Sequence, residues 1–386
     1  MPRVPLHTLR RKRETKSMLV YHVISDGEVG GAGIFLSHLL PSLSSLGVCS
    51  KVLLPRDSKL VSLLRRAEIP LLFTGKRDTA FSLADLTRFF CILRKETPDL
   101  IVSHGTLSVK VAAALHRIPL VSVKHCDLPV SLPRIYRALT DVTVATSFPC
   151  ARHLEEQGVT PVVCIENGTT PCSPPSTEER RVARRALGLS HDTIAVGLCG
   201  RLSAVKGHEF ALHALAALGE EGRRIRLLFL GEGEEEDRLR VKASALGIAE
   251  RVSFLGYAAE TAPFYTALDV HLSCSLGSET SSLSLAEGLH AALPTVASAT
   301  EGNLARVGDG GLFYPPDDAK ALAFCLHTLL DDGERERWKR AAVRRAAALP
   351  TWDKTAKQYL SLFSTLIESR RKNRGNGCNF DKSMLQ

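Results

Sequence analysis

The sequence predicts an α/β protein built from two doubly wound parallel-sheet domains that face each other across a cleft. Three observations predict it. Short apolar runs of strand length alternate with segments of helical apolar spacing along most of the chain. A Pro- and Ser-rich stretch, Pro171-Cys172-Ser173-Pro174-Pro175-Ser176-Thr177, interrupts the alternation near the middle, and the same alternation resumes beyond it. The length of 386 residues is that of two domains.

The elements follow in order. Leu19 to Ser25 reads as a buried strand, and a glycine-rich turn, Gly27-Glu28-Val29-Gly30-Gly31-Ala32-Gly33, follows it. Apolar residues at Ile34, Leu36, Leu39, Leu40 and Leu43 then mark a helix that ends at Gly47. The spacing next predicts a strand Val48–Leu54, helices over Leu60–Ala67 and Leu83–Glu96, a strand Leu100–Ser103, a helix Ser108–Leu115, and strands Leu120–Lys124 and Val142–Thr146. After the break, Ser176 and Glu179 have capping-box spacing for a helix Glu178–Leu187. The second series has strands at Thr193–Cys199, Arg226–Leu230, Val252–Leu255, Val270–Cys274 and Thr295–Ser298. Its helices fall at Glu209–Leu218, Glu235–Leu246, Ser284–His290 and Ala319–Leu330, with a final one at Lys354–Ile367. Strands that alternate with helices give βαβ units and parallel sheets.

Composition narrows the function. Hydrophobic residues make up 44% and charged residues 24%, the balance of a globular chain. No apolar run reaches the ~18 residues that span a bilayer. The net charge is +9, and most of it lies at the ends. Residues 1–17 carry a net +5 and residues 368–386 a net +3, which leaves the body near neutral and argues against a nucleic-acid-binding face. The ten cysteines show neither C-x-x-C pairs nor zinc spacing, a pattern of reduced thiols in a cytoplasmic protein.

Several strand-end residues carry candidate chemistry. The turn Gly30–Gly33 suits close approach of backbone N–H groups to a phosphate, or equally a tight packing turn, and it does not match G-x-G-x-x-G. Gly200-Arg201-Leu202-Ser203-Ala204-Val205-Lys206-Gly207 follows a strand at the edge where ligands bind in open α/β sheets. Its two cations suit a diphosphate, with two solvated loop side chains as the alternative. Gly231-Glu232-Gly233 ends another strand, and the acids at 234–237 complement a helix dipole. Glu279 precedes a helix and Glu287 lies within it, eight residues or ~12 Å of helical rise apart. Free N–H groups at that helix start suit a phosphate between the carboxylates, the alternative being two surface glutamates. His104, His125 and Asp127 lie just after strands of the first domain.

Taken together, these residues resemble the retaining glycosyltransferases of the GT-B fold, glycosyltransferase family 4 (group 1), over about residues 18–367. The resemblance rests on Gly30-Gly31-Ala32-Gly33, Glu166-Asn167-Gly168, Gly200-Arg201-Leu202 with Lys206-Gly207, Phe229-Leu230-Gly231-Glu232-Gly233 and Val252-Ser253-Phe254-Leu255-Gly256. Above all it rests on Glu279-x7-Glu287 followed by Pro294. It implies that Gly31 and Gly33 of the glycine loop and the helix start at Ser281, Ser282 and Leu283 give backbone N–H groups to the donor diphosphate, and that Gly231 is donor-binding. It implies that Arg201 and Lys206 neutralise the leaving group, that Glu287 holds ribose hydroxyls, that Glu279 lies near the donor sugar and that His125 meets a sugar hydroxyl. It implies no metal and no cofactor beyond the nucleotide-sugar donor itself, and a final helix that crosses back to the first domain. The chain departs from the family pattern at Thr280-Ser281, where Gly-Phe is frequent, at Ala292, where Gly is common, and at Leu304-Ala305, where Pro-Glu is common.

The expected organisation is a basic tail (1–17), an acceptor-binding Rossmann-like domain (18–170), a linker and lead-in helix (171–192), a donor-binding Rossmann-like domain (193–350), a crossover helix (351–367) and a basic disordered tail (368–386). The expected activity is sugar transfer to a hydroxyl of a glycolipid, a lipopolysaccharide core or another cell-envelope glycan. The basic tails suit contact with an anionic inner membrane face. A nucleotide-sugar epimerase and a non-catalytic interaction protein of the same fold are the alternatives. The first would turn over donor without acceptor and the second would bind no donor.

Overall fold

The computed structural model describes residues 17–25, 30–74, 83–105, 107–172, 174–277 and 279–373. Seven strands form the first sheet: β1 Met18–Val23, β2 Val48–Pro55, β3 Leu71–Thr74, β4 Leu100–Ser103, β5 Leu120–Lys124, β6 Val142–Ala145 and β7 Val162–Cys164. Six form the second: β8 Ile194–Cys199, β9 Ile225–Leu230, β10 Val252–Phe254, β11 Val270–Ser273, β12 Thr295–Ser298 and β13 Gly311–Tyr314. All strand pairs are parallel, in the orders β3-β2-β1-β4-β5-β6-β7 and β10-β9-β8-β11-β12-β13. Strands buried on both faces need apolar residues at every position, which is why β4 and β6 are buried throughout and show no alternation. The order reverses between β1 and β4 in one sheet and between β8 and β11 in the other. A crevice opens at such a reversal, on the edge that holds the strand C-termini.

The strands and helices read from the sequence are present with shifts of a few residues at their ends. The structure adds β3, β7 and β13, which are only three or four residues long. It also adds five helices: Pro133–Ala138, Phe148–Glu156, Ala262–Ala267, Glu301–Val307 and Asp332–Ala348. The longest of these buries only Ala341, Ala342 and Ala346, so it carries no apolar stripe to find. The lead-in helix Thr177–Ala186 has the capping box, with Glu179 N donating to Ser176 Oγ at 3.2 Å and Ser176 N to Glu179 Oε2 at 2.8 Å. It is anchored on the second domain. Arg180 and Arg184 clamp Asp269 at 2.6 and 2.8 Å, and Asp269 Oδ2 also accepts from Ala195 N of β8 at 2.8 Å.

The chain crosses between the domains twice, side by side. Thr169 N donates to Pro350 O at 2.8 Å, and a Cβ on Gly168 would lie 2.5 Å from Trp352 Cα. The last helix, Trp352–Asn373, then packs on the helix Gly31–Ser45 and places Trp352, Ala356, Tyr359 and Phe363 in the core of the first domain. This helix is longer than expected and corrects the reading of 368–386 as a disordered tail. Residues 368–373 continue the helix, and Arg370 pairs with Asp141 at 2.5 Å. The apolar face that docks on the first domain carries these extra turns with it. Residues 1–16 and 374–386, which hold the rest of the basic ends, lie outside the described residues. Among the described residues no helix is long and apolar enough to cross a membrane.

Ala292 explains one departure from the family pattern. It sits at φ +57° just beyond the helix Leu283–His290, with Leu293 N closing on Gly288 O at 3.1 Å. Glycine adopts this left-handed position at no steric cost, and a Cβ there costs about 1 kcal/mol. Ala292→Gly is expected to raise the unfolding free energy by about 0.5–1 kcal/mol in urea titration. A destabilisation would show that the buried methyl packs better than the backbone strains.

Candidate active site

Three strand-end loops of the second domain meet at its order reversal. The loop after β8 runs from Gly200 through a single turn Ala204–Lys206. Gly207, at φ +63°, lets that turn lie against the end of β11, since a Cβ there would sit 2.1 Å from Cys274 O. Lys206 Nζ is thereby brought onto Glu279 Oε1, which also accepts from Ser275 Oγ at 2.9 Å. The Glu279 side chain is 14% exposed and that of Lys206 33%, so the pair lines the crevice wall with Gly200, Ser275 and Ser284. Arg201 is exposed at the mouth of the same loop.

Gly231 joins two strand-end loops. Its N–H donates to Gly256 O at 2.8 Å, and a Cβ at its φ of +144° would lie 2.0 Å from Gly200 O. It is the residue that lets two strand-end loops touch, and its N–H is already used. Gly33, expected to offer its N–H to the phosphate, is engaged in the same way. Its N–H donates to Gly30 O at 3.0 Å, and a Cβ would strike Leu60 Cδ2 at 2.2 Å. Gly31 differs, because none of the described residues lies within 4 Å of its Cβ position at the start of the helix Gly31–Ser45. Residues 26–29 of the glycine turn lie outside the described residues.

The helix Leu283–His290 begins after the Glu279 loop, so only part of the Glu279-to-Glu287 span is helical. Ser282 caps it, with its Oγ accepting from Leu285 N at 3.4 Å. The N–H groups of Ser282 and Leu283 fall where an α-helix has no internal acceptors. Glu287 is half-buried and accepts from Thr261 Oγ1 at 3.2 Å. Burial pushes its carboxyl above the usual range, and hydrogen bonds from Tyr265 and Thr261 oppose that rise.

The first domain closes over the Glu279 loop. Thr280 Oγ1 donates to His125 O at 3.0 Å and lies 2.7 Å from Thr146 Oγ1. Ser281 is buried, and Asn167 Nδ2 donates to its carbonyl at 2.9 Å. The Ser281 side chain faces the domain junction, where its Oγ accepts from Asn167 N at 3.3 Å. The same contact leaves Asn167 buried. At the rim, Arg152 Nη2 donates to both carboxylate oxygens of Glu301, at 2.8 and 2.7 Å. Asp127 turns to His153 at 2.6 Å, away from His125.

His125 is one end of a row of three imidazoles. Its Nε2 lies 2.8 Å from His104 Nδ1, and His104 Nε2 lies 3.4 Å from His22 Nδ1 on β1. The rings lie edge to edge and near-coplanar, with centroids 5.1 and 5.7 Å apart and an interplanar angle of 20° in each pair. Phe35 meets His125 edge-on at 4.9 Å and in turn touches Trp352 and Tyr359 of the final helix. Burial holds all three rings neutral. It lowers His22 to about 3 and His125 to about 4, with Lys124 adding to the latter, and it lowers His104 well below the ordinary value.

A model described as Glycosyltransferase Family 4 matches residues 29–171, and one described as Glycosyl transferases group 1 matches residues 193–332. The chain belongs to the family 4, group 1 glycosyltransferases. It is 27% identical over 399 residues to the D-inositol 3-phosphate glycosyltransferase of Acidothermus cellulolyticus, a match that covers 89% of this chain and 88% of that protein. It is 26% identical over 315 residues to the lipopolysaccharide core biosynthesis glycosyltransferase LpsE of Rhizobium meliloti, over 79% of this chain and 87% of that one. The chain spans only 46% and 50% of the length of two curated relatives that it matches at 32% and 33% identity. The crystal structure of Anabaena Alr3699/HepE in complex with UDP-glucose superposes with a TM-score of 0.79 at 21% identity, over 90% of this chain and 100% of that one. That likeness gives the family 4 chain the GT-B architecture.

Sequence reading of this glycosyltransferase missed Thr261 and Tyr265 at Glu287, Ser275 at Glu279, and His22. Only His22 left a signal, as a histidine inside an otherwise apolar strand. The buried histidines set a pH dependence. An unfolded histidine takes up a proton below pH ~6.5, whereas folded His22 and His125 do so only near 3 and 4. A depressed folded pKa contributes stability that is complete above ~6.5 and is lost as the pH falls. Each such ring is expected to cost roughly 2 kcal/mol between pH 6.5 and 5. Urea midpoints should therefore fall from pH 7 to pH 5, and His22→Phe should flatten that slope. A flat wild-type profile would contradict the neutral buried rings.

Proposed function

We propose that this family 4 glycosyltransferase moves a sugar from a nucleotide diphosphate sugar to a hydroxyl acceptor, with retention at the anomeric carbon. The observation that carries the reading is the Lys206–Glu279 pair at the second-domain crevice, linked through Thr280 to the His125 loop of the other domain. A cation and a carboxylate so placed divide the labour of glycosyl transfer. Lys206 and exposed Arg201 meet the negative charge that grows on the leaving diphosphate. Glu279 meets the positive charge that grows on the sugar ring, and Glu287 accepts ribose hydroxyls. The N–H groups of Ser282 and Leu283, with the open backbone at Gly31, complete the phosphate cradle. Arg201 and Lys206 take the part that a metal would otherwise play, so activity should survive EDTA.

The donor in the HepE structure makes UDP-glucose the first probe, within a panel of nucleotide sugars. The names of the Acidothermus and Rhizobium relatives support an acceptor among phosphorylated polyols, glycolipids or lipopolysaccharide core sugars. Arg201→Ala or Lys206→Ala is expected to lower kcat by the equivalent of ~2–4 kcal/mol, because the interaction strengthens in the transition state. Glu279→Gln should depress kcat with donor KM little changed, while Glu287→Gln should act mainly through donor KM. If both glutamate variants lose only donor affinity, Glu279 binds substrate and plays no part in the chemical step.

The basic ends support a cytoplasmic location at an anionic membrane face, at about 1 kcal/mol per cation close to the surface. Deletion of residues 1–17 and 374–386 is expected to reduce co-sedimentation with anionic vesicles while turnover of a soluble acceptor persists. Unchanged sedimentation would reject the membrane contact.

A further inference from the structure

The row of histidines has a direction, and that direction reaches the site. A neutral imidazole carries one N–H and one bare nitrogen, so each contact in a row of neutral rings needs a donor on one side and an acceptor on the other. Two arrangements satisfy both contacts. In one, every ring carries its proton on Nδ1, and His22 is left with a bare Nε2. In the other, every ring carries its proton on Nε2, and His22 is left with a buried Nε2–H. His22 is 0% exposed, and its Nε2 has no hydrogen-bond partner among the described residues. An orphaned buried N–H is rarer than an orphaned acceptor, so the first arrangement is the stable one.

We infer that His104 and His22 are positioning residues that hold His125 as its Nδ1–H tautomer, so that the ring offers the cleft a hydrogen-bond donor. His22 Nδ1–H donates to His104 Nε2, and His104 Nδ1–H donates to His125 Nε2. The remaining ring nitrogen of His125 then carries a proton and can donate to a hydroxyl oxygen of the transferred sugar. That last contact rests on the donor reading above, whereas the tautomer does not. The ring is held in place from outside the row as well. Phe35 covers its edge, and Thr280 fixes the loop through His125 O. The low proton affinity of all three rings agrees with a neutral row across the working pH range.

The strand order explains why this row exists. β1, β4 and β5 are adjacent in the sheet, and His22, His104 and His125 lie on or just past their C-terminal ends. The first step of the row spans the β1/β4 reversal. It is thus a polar line drawn across the crevice of the first domain, from a sealed interior nitrogen to the edge that faces the donor-binding domain.

The experiment is long-range proton–nitrogen NMR of the histidine rings in the full chain at pH 7, combined with steady-state kinetics on UDP-glucose and the donor panel. The signals are assigned by single histidine substitutions. The wild type should show His125 protonated at Nδ1 and bare at Nε2. His104→Leu should mix the two His125 tautomers and lower kcat about tenfold, the effect of one lost hydrogen bond, with donor KM within about twofold. His104→Asn keeps an amide N–H where Nδ1–H was and should restore both the spectrum and most of the kcat. A wild-type His125 protonated at Nε2 would overturn the inference, as would a His104→Leu protein that keeps the wild-type tautomer and loses only thermal stability. If His104→Leu does not fold, the wild-type spectrum and His104→Asn still decide. A wild type that shows the Nδ1–H signal and turns over no nucleotide sugar would support the row and overturn the donor reading alone.

Discussion

Two parallel passages of backbone, at Gly168–Thr169 and at Pro350–Trp352, hold the architecture together. Each domain has its own sheet and its own core, and neither sheet dictates where the other sits. The paired passages do. Thr169 N–H on Pro350 O ties one to the other, and the absence of a side chain at Gly168 lets Trp352 come within contact of the backbone. Trp352 then enters the first-domain core as the first residue of the last helix. The C-terminal edges of both sheets consequently face one cleft. The Lys206–Glu279 pair on one side and His125 on the other meet through a single intervening residue, Thr280.

The two edges use different electrostatics. The second-domain side keeps charges near solvent, where the Lys206 ammonium and the Glu279 carboxylate neutralise each other. The first-domain side is a row of buried neutral rings that desolvation keeps uncharged. A neutral imidazole can discriminate a hydroxyl by direction of hydrogen bonding without adding charge beside a developing cationic centre. Glycines serve this division by geometry. Gly207, Gly231 and Gly302 each stand where a Cβ would strike backbone of a neighbouring loop, the last against Glu279 O at 2.0 Å. The loops that carry the charges can therefore pack directly on one another.

Much of the fold was legible because each strand and helix advertises itself locally. Apolar runs marked the central strands, and the Ser176–Glu179 capping box marked the entry to the second domain. The short edge strands β3, β7 and β13 escaped because three or four residues carry no period, and Asp332–Ala348 escaped because its buried face is alanine. In the candidate site, Arg201, Lys206 and His125 were marked by their place after strands and Glu279 and Glu287 by their spacing about a helix start, and the structure brings Lys206 onto Glu279 and Thr280 onto His125 O. Gly33 and Gly231 were read as donor-binding, and each has its N–H occupied and its missing Cβ filled by a neighbour. A glycine in a sequence does not disclose what stands opposite it.

The sequence by itself determined two series of βα units, the residues at their strand ends and the motifs shared with family 4 glycosyltransferases. These are encoded segment by segment, in the period of apolar side chains and in the spacing of charged residues along one stretch of chain. Only the tertiary structure decided the order of strands, the angle at which the edges meet and the partners of each polar group. His22 and His104 are 82 residues apart and His104 and His125 are 21 apart, and they become a hydrogen-bonded row because β1, β4 and β5 are neighbours. Lys206 and Glu279 are 73 apart and meet because β8 and β11 flank the reversal of the second sheet. The pairing of strands far apart in the chain is settled by burial of whole faces, which no local pattern records.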